Sequence, residues 1–195
     1  MKAQIPNILT SGRLVLTGVM CLAFVFLAAA AHGDLGPYTT ALMAQLALAS
    51  FVIAAVTDFF DGYLARKWNV VSTFGAIMDP IADKVLVCGA ILGLIGIGIQ
   101  GILIPSFLIL FREFAVSAMR EVLAPKGIKL PVTFLAKTKT TIQLVALAAL
   151  MVVSFWTFEP WVKTGAQILY GLAAAVTLWT GVEYALAARK ALSST

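Results

Sequence analysis

The chain has 195 residues, 61% of them hydrophobic and only 12% charged. A soluble domain carries about 45–50% apolar and about 25% charged residues, so this composition excludes an ordinary water-soluble globule. The net charge of +5 and pI near 9.4 do not indicate nucleic-acid binding, because no basic platform interleaved with aromatics accompanies them.

In Ile5-Pro6-Asn7-Ile8-Leu9-Thr10-Ser11-Gly12-Arg13, the apolar Ile5, Ile8 and Leu9 recur at helical intervals among polar groups. That pattern predicts a short amphipathic helix over 1–13, lying in a membrane interface. Six apolar stretches follow, at about 14–32, 38–60, 76–98, 102–122, 138–158 and 162–186. Each is long enough to cross a hydrocarbon core of ~30 Å as a helix. The expected fold is all-α and integral to the membrane: one domain over 1–195 with six transmembrane helices and an N-terminal interfacial helix. Residues 14–27 with Ala28–Ala31 also resemble a cleavable signal. Leu14–Ala31 is nevertheless long enough to span, and its removal would leave an odd number of helices, so retention is expected.

Punctuation falls between the spans. Gly33-Asp34-Leu35-Gly36-Pro37 predicts the first external turn, Gly101 with Pro105 flanks the second, and Glu159-Pro160 makes the third. The charged stretch 120–139, with Pro125, Gly127 and Pro131, is expected to be partly irregular. Gly89-xxx-Gly93, with Gly96 and Gly98 beyond, predicts close approach of another helix to the third span. Cys21 and Cys88 each fall within a span and are not expected to pair. His32 reads as an ordinary loop residue.

With an even number of spans, both termini share one side. Lys2, Arg13, Arg66, Lys67, Arg120, Lys126, Lys129, Lys137, Lys139, Arg189 and Lys190 then fall on that side, and only Lys163 on the other. Lys84 and Arg112 lie within spans. The positive-inside rule makes the basic side cytoplasmic, facing anionic headgroups.

The chemistry concentrates in Asp58-xx-Asp61-Gly62-xx-Ala65-Arg66, followed after eight residues by Gly75-xxx-Asp79-xxx-Asp83. Asp58 and Asp61 are three apart, and Asp79 and Asp83 four apart, so each pair shares a helix face. The short link at 67–74 makes the second and third spans antiparallel neighbours. The four carboxylates are therefore expected to meet at the cytoplasmic mouth between them, with Pro80 kinking or starting the third span. Ionised carboxylates at membrane depth are costly and mark function. Without His or Cys beside them they suit hard cations, Mg²⁺ or Mn²⁺, and four carboxylates suffice for two ions about 4 Å apart, as in phosphoryl displacement. Gly62 and Gly75 would leave room for a bulky phosphorylated ligand, with Arg66, Ser72 and Thr73 as donors. A bland alternative pairs the aspartates with Arg66, Lys67 and Lys84 as helix-end salt bridges.

The same string resembles, at every fixed position, the D-x2-D-G-x2-A-R-x8-G-x3-D-x3-D signature of the CDP-alcohol phosphotransferase family. The resemblance implies a six-helix homodimer with two metal ions. Asp58, Asp61 and Asp79 would be metal ligands, and Asp83 both ligand and general base. Asn7, Gly62, Arg66, Ser72, Thr73 and Gly75 would contact CDP-diacylglycerol. Nearly the whole chain also resembles the phosphatidylglycerophosphate-synthase branch of that family. That likeness rests on Pro6-Asn7-Ile8-Leu9-Thr10-xx-Arg13, on Arg112-Glu113-Phe114-xxx-Ser117-xx-Arg120, and on Ala136-Lys137-x-Lys139-Thr140. It implies a bacterial inner-membrane enzyme with glycerol 3-phosphate as acceptor.

The residues agree in kind. An unpaired Arg112 inside a span would be costly, so it should face a polar cavity. Arg120 lies eight residues on, near the same face. Thr10, Arg112, Arg120, Lys137 and Lys139 are expected to form the pocket for the acceptor's phosphate. Against this, Arg112 could simply pair with Glu113. Two further functions were weighed: the same chemistry on inositol phosphate, serine or phosphatidylglycerol, and divalent-cation transport. Transport predicts polar residues reaching the external side, yet the external halves of the spans are nearly uncharged.

Overall fold

The computed structural model describes residues 4–30, 33, 35–68, 73–126 and 134–193, with 4–6, 61–68, 73–74, 76, 126 and 134–137 described by backbone alone. The expected loop residue His32 lies outside the described residues. Among the described residues there are six α-helices: α1 Gln4–Ala30, α2 Pro37–Trp68, α3 Thr73–Gly96, α4 Leu103–Leu123, α5 Phe134–Phe155 and α6 Pro160–Ser193. A short 3-10 turn, Ala124–Lys126, follows α4, and no strand occurs among the described residues.

Among the described residues four stretches are long and apolar enough to cross a membrane: Asn7–Ala30, Pro37–Phe60, Thr138–Phe155 and Pro160–Ser193. The remaining two helices carry charge along their length, Asp79, Asp83 and Lys84 on α3, and Arg112, Glu113, Arg120 and Glu121 on α4. Outward-facing Leu22, Val25, Ile53, Val56, Phe107, Phe111 and Trp179 are exposed. So many exposed large apolar side chains in each unit suit lipid rather than water, and the chain is a multi-pass membrane protein.

Helix boundaries differ from expectation where the physics is local. Residues 4–13 do not form a separate interfacial element but run directly into the first span. Pro6 sits in the first turn, where its missing N–H costs nothing, and Gly12 alone costs only ~1 kcal/mol. α2 continues to Trp68, so Asp58 and Asp61 lie inside the helix rather than at its end. α3 begins at Thr73 and passes through Pro80.

The chain divides into two compact units. The first comprises Met1–Ile99 and Met151–Thr157, the second Gln100–Leu150 and Phe158–Thr195. In the first, α1 packs extensively against both α2 and α3, while α2 and α3 touch only slightly. On α2 the buried Ala44, Ala47, Phe51 and Ala54 recur at three- and four-residue spacing, a narrow stripe that admits close helix packing. The expected close approach of another helix is realised by α1 at Gly89 and Gly93, whereas an added Cβ at Gly96 or Gly98 would meet nothing within 4 Å among the described residues, because α3 ends at Gly96. A Cβ at Gly89 would stand 2.8 Å from Cys21 Sγ, and one at Gly93 would strike the Phe24 ring. Gly33 and Gly98 turn the chain at φ 87° and 83°, where a side chain would be strained.

In the second unit α4 packs on α6, with Ile109, Val116 and Leu123 buried. Buried polar side chains are paired between helices. Ser106 and Tyr170 hydroxyls lie 2.9 Å apart, and Gln143 Nε2 donates to Thr177 Oγ1 at 2.8 Å. Gly101 turns at φ 79° before α4. Pro160 opens α6, and the Val162 N–H returns to the Glu159 carbonyl at 3.0 Å.

Candidate active site

The acidic centre is built by three helices, not two. α2 supplies Asp58, and α3 supplies Asp79 and Asp83. α1 lies against both and presents Thr10 and Arg13, three residues apart and so on one face. Arg13 Nη1 contacts Asp58 Oδ1 at 2.6 Å and also donates to Asp83 Oδ1. Thr10 Oγ1 donates to Asp79 Oδ1 at 2.6 Å. The Arg13 side chain is fully buried, whereas those of Asp58 and Asp83 are 33% and 48% exposed. α1 thus carries a desolvated cation to the rim of a half-open acidic pocket. Of the cations in the bland alternative, Lys84 forms no ion pair among the described residues, and Arg66 and Lys67 lie outside the described side chains; the counter-cation seen at Asp58 and Asp83 comes from α1.

The donor set fits a hard divalent cation. Asp58 and Asp83 reach one guanidinium nitrogen from different helices, which puts their oxygens within two hydrogen-bond lengths, less than about 6 Å, of each other. A position already occupied by positive charge and lined by carboxylate oxygens suits Mg²⁺ or Mn²⁺ and not a soft metal. Among the described residues no three acidic, His or Cys side chains gather as one cluster. The signature's fourth carboxylate, Asp61, lies outside the described side chains, as do Arg66, Ser72, Thr73 and Lys137 and all but the backbone of Gly62. Asn7 is half-buried on α1, and Gly75 is buried in the first turn of α3.

The second unit holds a basic centre. Arg112 on α4 is 5% exposed, and its Nη1 lies 3.6 Å from Glu113 Oε1. Lys139, on α5 and also buried, pairs with the same carboxylate. Arg120 Nη2 donates to the Tyr184 hydroxyl at 2.7 Å. The guanidinium carbons of Arg112 and Arg120 lie 5.5 and 5.0 Å from the centroid of that one ring. Arg112 Nε is buried without a hydrogen-bond partner among the described residues. The Arg112–Glu113 pairing is therefore real, yet among the described residues one carboxylate serves two cations while Arg120 meets the Tyr184 hydroxyl. Such a centre suits an anionic group such as a phosphate.

Of the expected acceptor-binding set, Arg112, Arg120 and Lys139 come together in this unit. Thr10 lies in the first unit, where its turn of α1 faces α3 and it donates to Asp79. Arg13, Glu113 and Tyr184 are not among the residues the sequence places at the site. Arg13 has a local signal in its three-residue spacing from Thr10 and Glu113 in its place beside Arg112, whereas Tyr184 has none.

Residues 3–181 match the CDP-alcohol phosphatidyltransferase family. The chain is 40% identical over 188 residues to the CDP-diacylglycerol–glycerol-3-phosphate 3-phosphatidyltransferase of Rickettsia bellii, covering 96% of each chain. To the protein of the same name from Escherichia coli K12 it is 38% identical over 192 residues, 97% of each. To that of Cereibacter sphaeroides it is 40% identical over 193 residues, 98% of this chain and 78% of the other.

Proposed function

The chain belongs to the CDP-alcohol phosphatidyltransferase family, and from that premise we propose that it transfers the phosphatidyl group of CDP-diacylglycerol to glycerol 3-phosphate. The products are phosphatidylglycerophosphate and CMP. Near-full-length likeness to enzymes named for that reaction supports the choice of acceptor. The observation that carries the chemistry is the meeting of Asp58 and Asp83, from two helices, on a single buried cation.

Each group has a task. Asp83, more open than Asp58, takes the proton from the acceptor's primary hydroxyl. That oxygen then attacks the phosphorus bearing diacylglycerol, and the bond to CMP breaks. Asp58, Asp79 and Asp83, with Asp61 of the same signature, would hold two Mg²⁺ or Mn²⁺ ions, which would supply neutralisation of charge on the phosphate and the leaving oxygen. Arg13 and Thr10 orient the carboxylates. Asn7, Gly62, Arg66, Ser72, Thr73 and Gly75 receive the CDP moiety, its acyl chains remaining in lipid. Arg112, Arg120, Lys137 and Lys139 bind the acceptor's phosphate. The protein acts as a homodimer in the bacterial inner membrane, all six helices spanning and both termini cytoplasmic, a reading supported by the distribution of Lys and Arg along the sequence.

The test is CMP release from labelled CDP-diacylglycerol by the purified protein, given glycerol 3-phosphate, inositol phosphate, serine or phosphatidylglycerol in turn. Turnover with glycerol 3-phosphate alone is expected. Turnover only with another alcohol, or ion flux without CMP release, refutes the reading.

A further inference from the structure

Arg112 and Arg120 stand eight residues apart on α4, about 12 Å along its axis, yet both guanidiniums lie within 5.5 Å of one aromatic ring. That ring belongs to Tyr184, 3% exposed, on α6. Its face receives both cations, and its hydroxyl accepts from Arg120 at 2.7 Å. One helical turn earlier, Gly181 lies under the aliphatic stem of Arg112: a Cβ there would stand 2.7 Å from Arg112 Cγ and 3.7 Å from Nε. Two residues of α6 therefore determine where two cations of α4 sit. Left to themselves, two like charges would separate into the most solvated rotamers they could reach. Here they are held near one another with a buried Nε still open.

We propose that Tyr184 and Gly181 form a positioning cradle that holds Arg112 and Arg120 ready for the acceptor's phosphate. This deepens, and rests on, the reaction proposed above. Neither residue touches the acceptor. Tyr184 acts through Arg120 by its hydroxyl and through Arg112 by its ring, and Gly181 acts through Arg112 by leaving space for it. The cradle makes the site selective for a phosphorylated alcohol, because the ring and the glycine slot bring two guanidiniums to one ligand-sized region. A neutral alcohol draws no benefit from that arrangement.

The experiment is steady-state kinetics of CMP release in detergent or nanodiscs, with each substrate varied while the other is saturating. Tyr184→Phe keeps the ring and loses the hydroxyl, while Gly181→Ala pushes against the Arg112 stem. Each is expected to raise KM for glycerol 3-phosphate by about 5- to 20-fold, the range for losing one charge-assisted hydrogen bond or its alignment. KM for CDP-diacylglycerol should stay within about twofold of wild type. In an Arg120→Gln background Tyr184→Phe should add little, because its route through Arg120 is already gone. Parallel changes in both KM values, full additivity with Arg120→Gln, or unchanged KM in both variants overturns the cradle. A wild-type protein inactive with glycerol 3-phosphate but active with another alcohol overturns the proposed reaction, and the cradle with it.

Discussion

Replacing Arg13 by methionine tests whether this buried cation holds the acidic centre together. Methionine keeps most of the stem volume and removes two charge-assisted contacts, to Asp58 and to Asp83. Removing one partner of a fully buried ion pair costs ~3–5 kcal/mol, whereas breaking an exposed pair costs about 1 kcal/mol or less. Arg13 is wholly buried, but its partners are one-third and one-half exposed, so water offsets part of the loss. About 2–3 kcal/mol remains. In a chain of this length, each kcal/mol moves the unfolding temperature by about 2–4 °C, giving an expected fall of ~4–12 °C. The assay is thermal unfolding in detergent with chelator present, followed by exposure of the free thiols of Cys21 and Cys88 to a reactive dye. Two internal checks accompany it. Adding Asp58→Asn to Arg13→Met should recover stability, because it removes a carboxylate left without its counter-cation. Added Mg²⁺ should raise the unfolding temperature of Arg13→Met more than that of wild type. An Arg13→Met protein within about 1 °C of wild type in chelator, or a double variant less stable than Arg13→Met, refutes the reasoning.

Other outcomes follow from the same geometry. Asp83→Asn should abolish CMP release while CDP-diacylglycerol still binds, as read by thermal shift with the lipid; substantial residual turnover removes Asp83 as the base. Chelation should stop turnover, and Mg²⁺ or Mn²⁺ should restore it, whereas persistent activity in chelator refutes metal dependence. Thr10→Val deletes the donor to Asp79 with little change in volume; it should raise the Mg²⁺ needed for half-maximal turnover by about 10-fold or more. Gly93→Ala pushes a methyl into the Phe24 ring between α1 and α3. It should cost about 1–3 kcal/mol in unfolding measurements, with Phe24→Leu relieving part of the loss.

Much of this arrangement is legible in the chain itself. Apolar runs marked the helices, Gly33 and Gly101 fell at turns, and the Gly89/Gly93 pair anticipated a close helix, whereas Gly98, expected among the packing glycines, turns the chain instead. The four-residue spacing of Asp79 and Asp83 anticipated that both carboxylates face one neighbouring helix, α1. Helix ends were less legible, because polar residues such as Thr10 and Arg13 near the start of α1, and Asp61 to Trp68 at the end of α2, remain helical once the backbone pairs internally. Arg13 looked like one more cytoplasmic anchor, since a basic residue beside an apolar run reads the same whether it meets headgroups or buried acids.

The sequence by itself determined the class of molecule, the common face of Asp79 and Asp83 and, through its signature, the family. Only the tertiary structure decided that α1 lies against both α2 and α3, that Arg13 bridges Asp58 and Asp83, and that Tyr184 gathers Arg112 and Arg120. The helical period dictates which side chains share a face. It says nothing of which distant face will be packed against them, and that choice depends on how small residues, rings and charges from separate helices fit together.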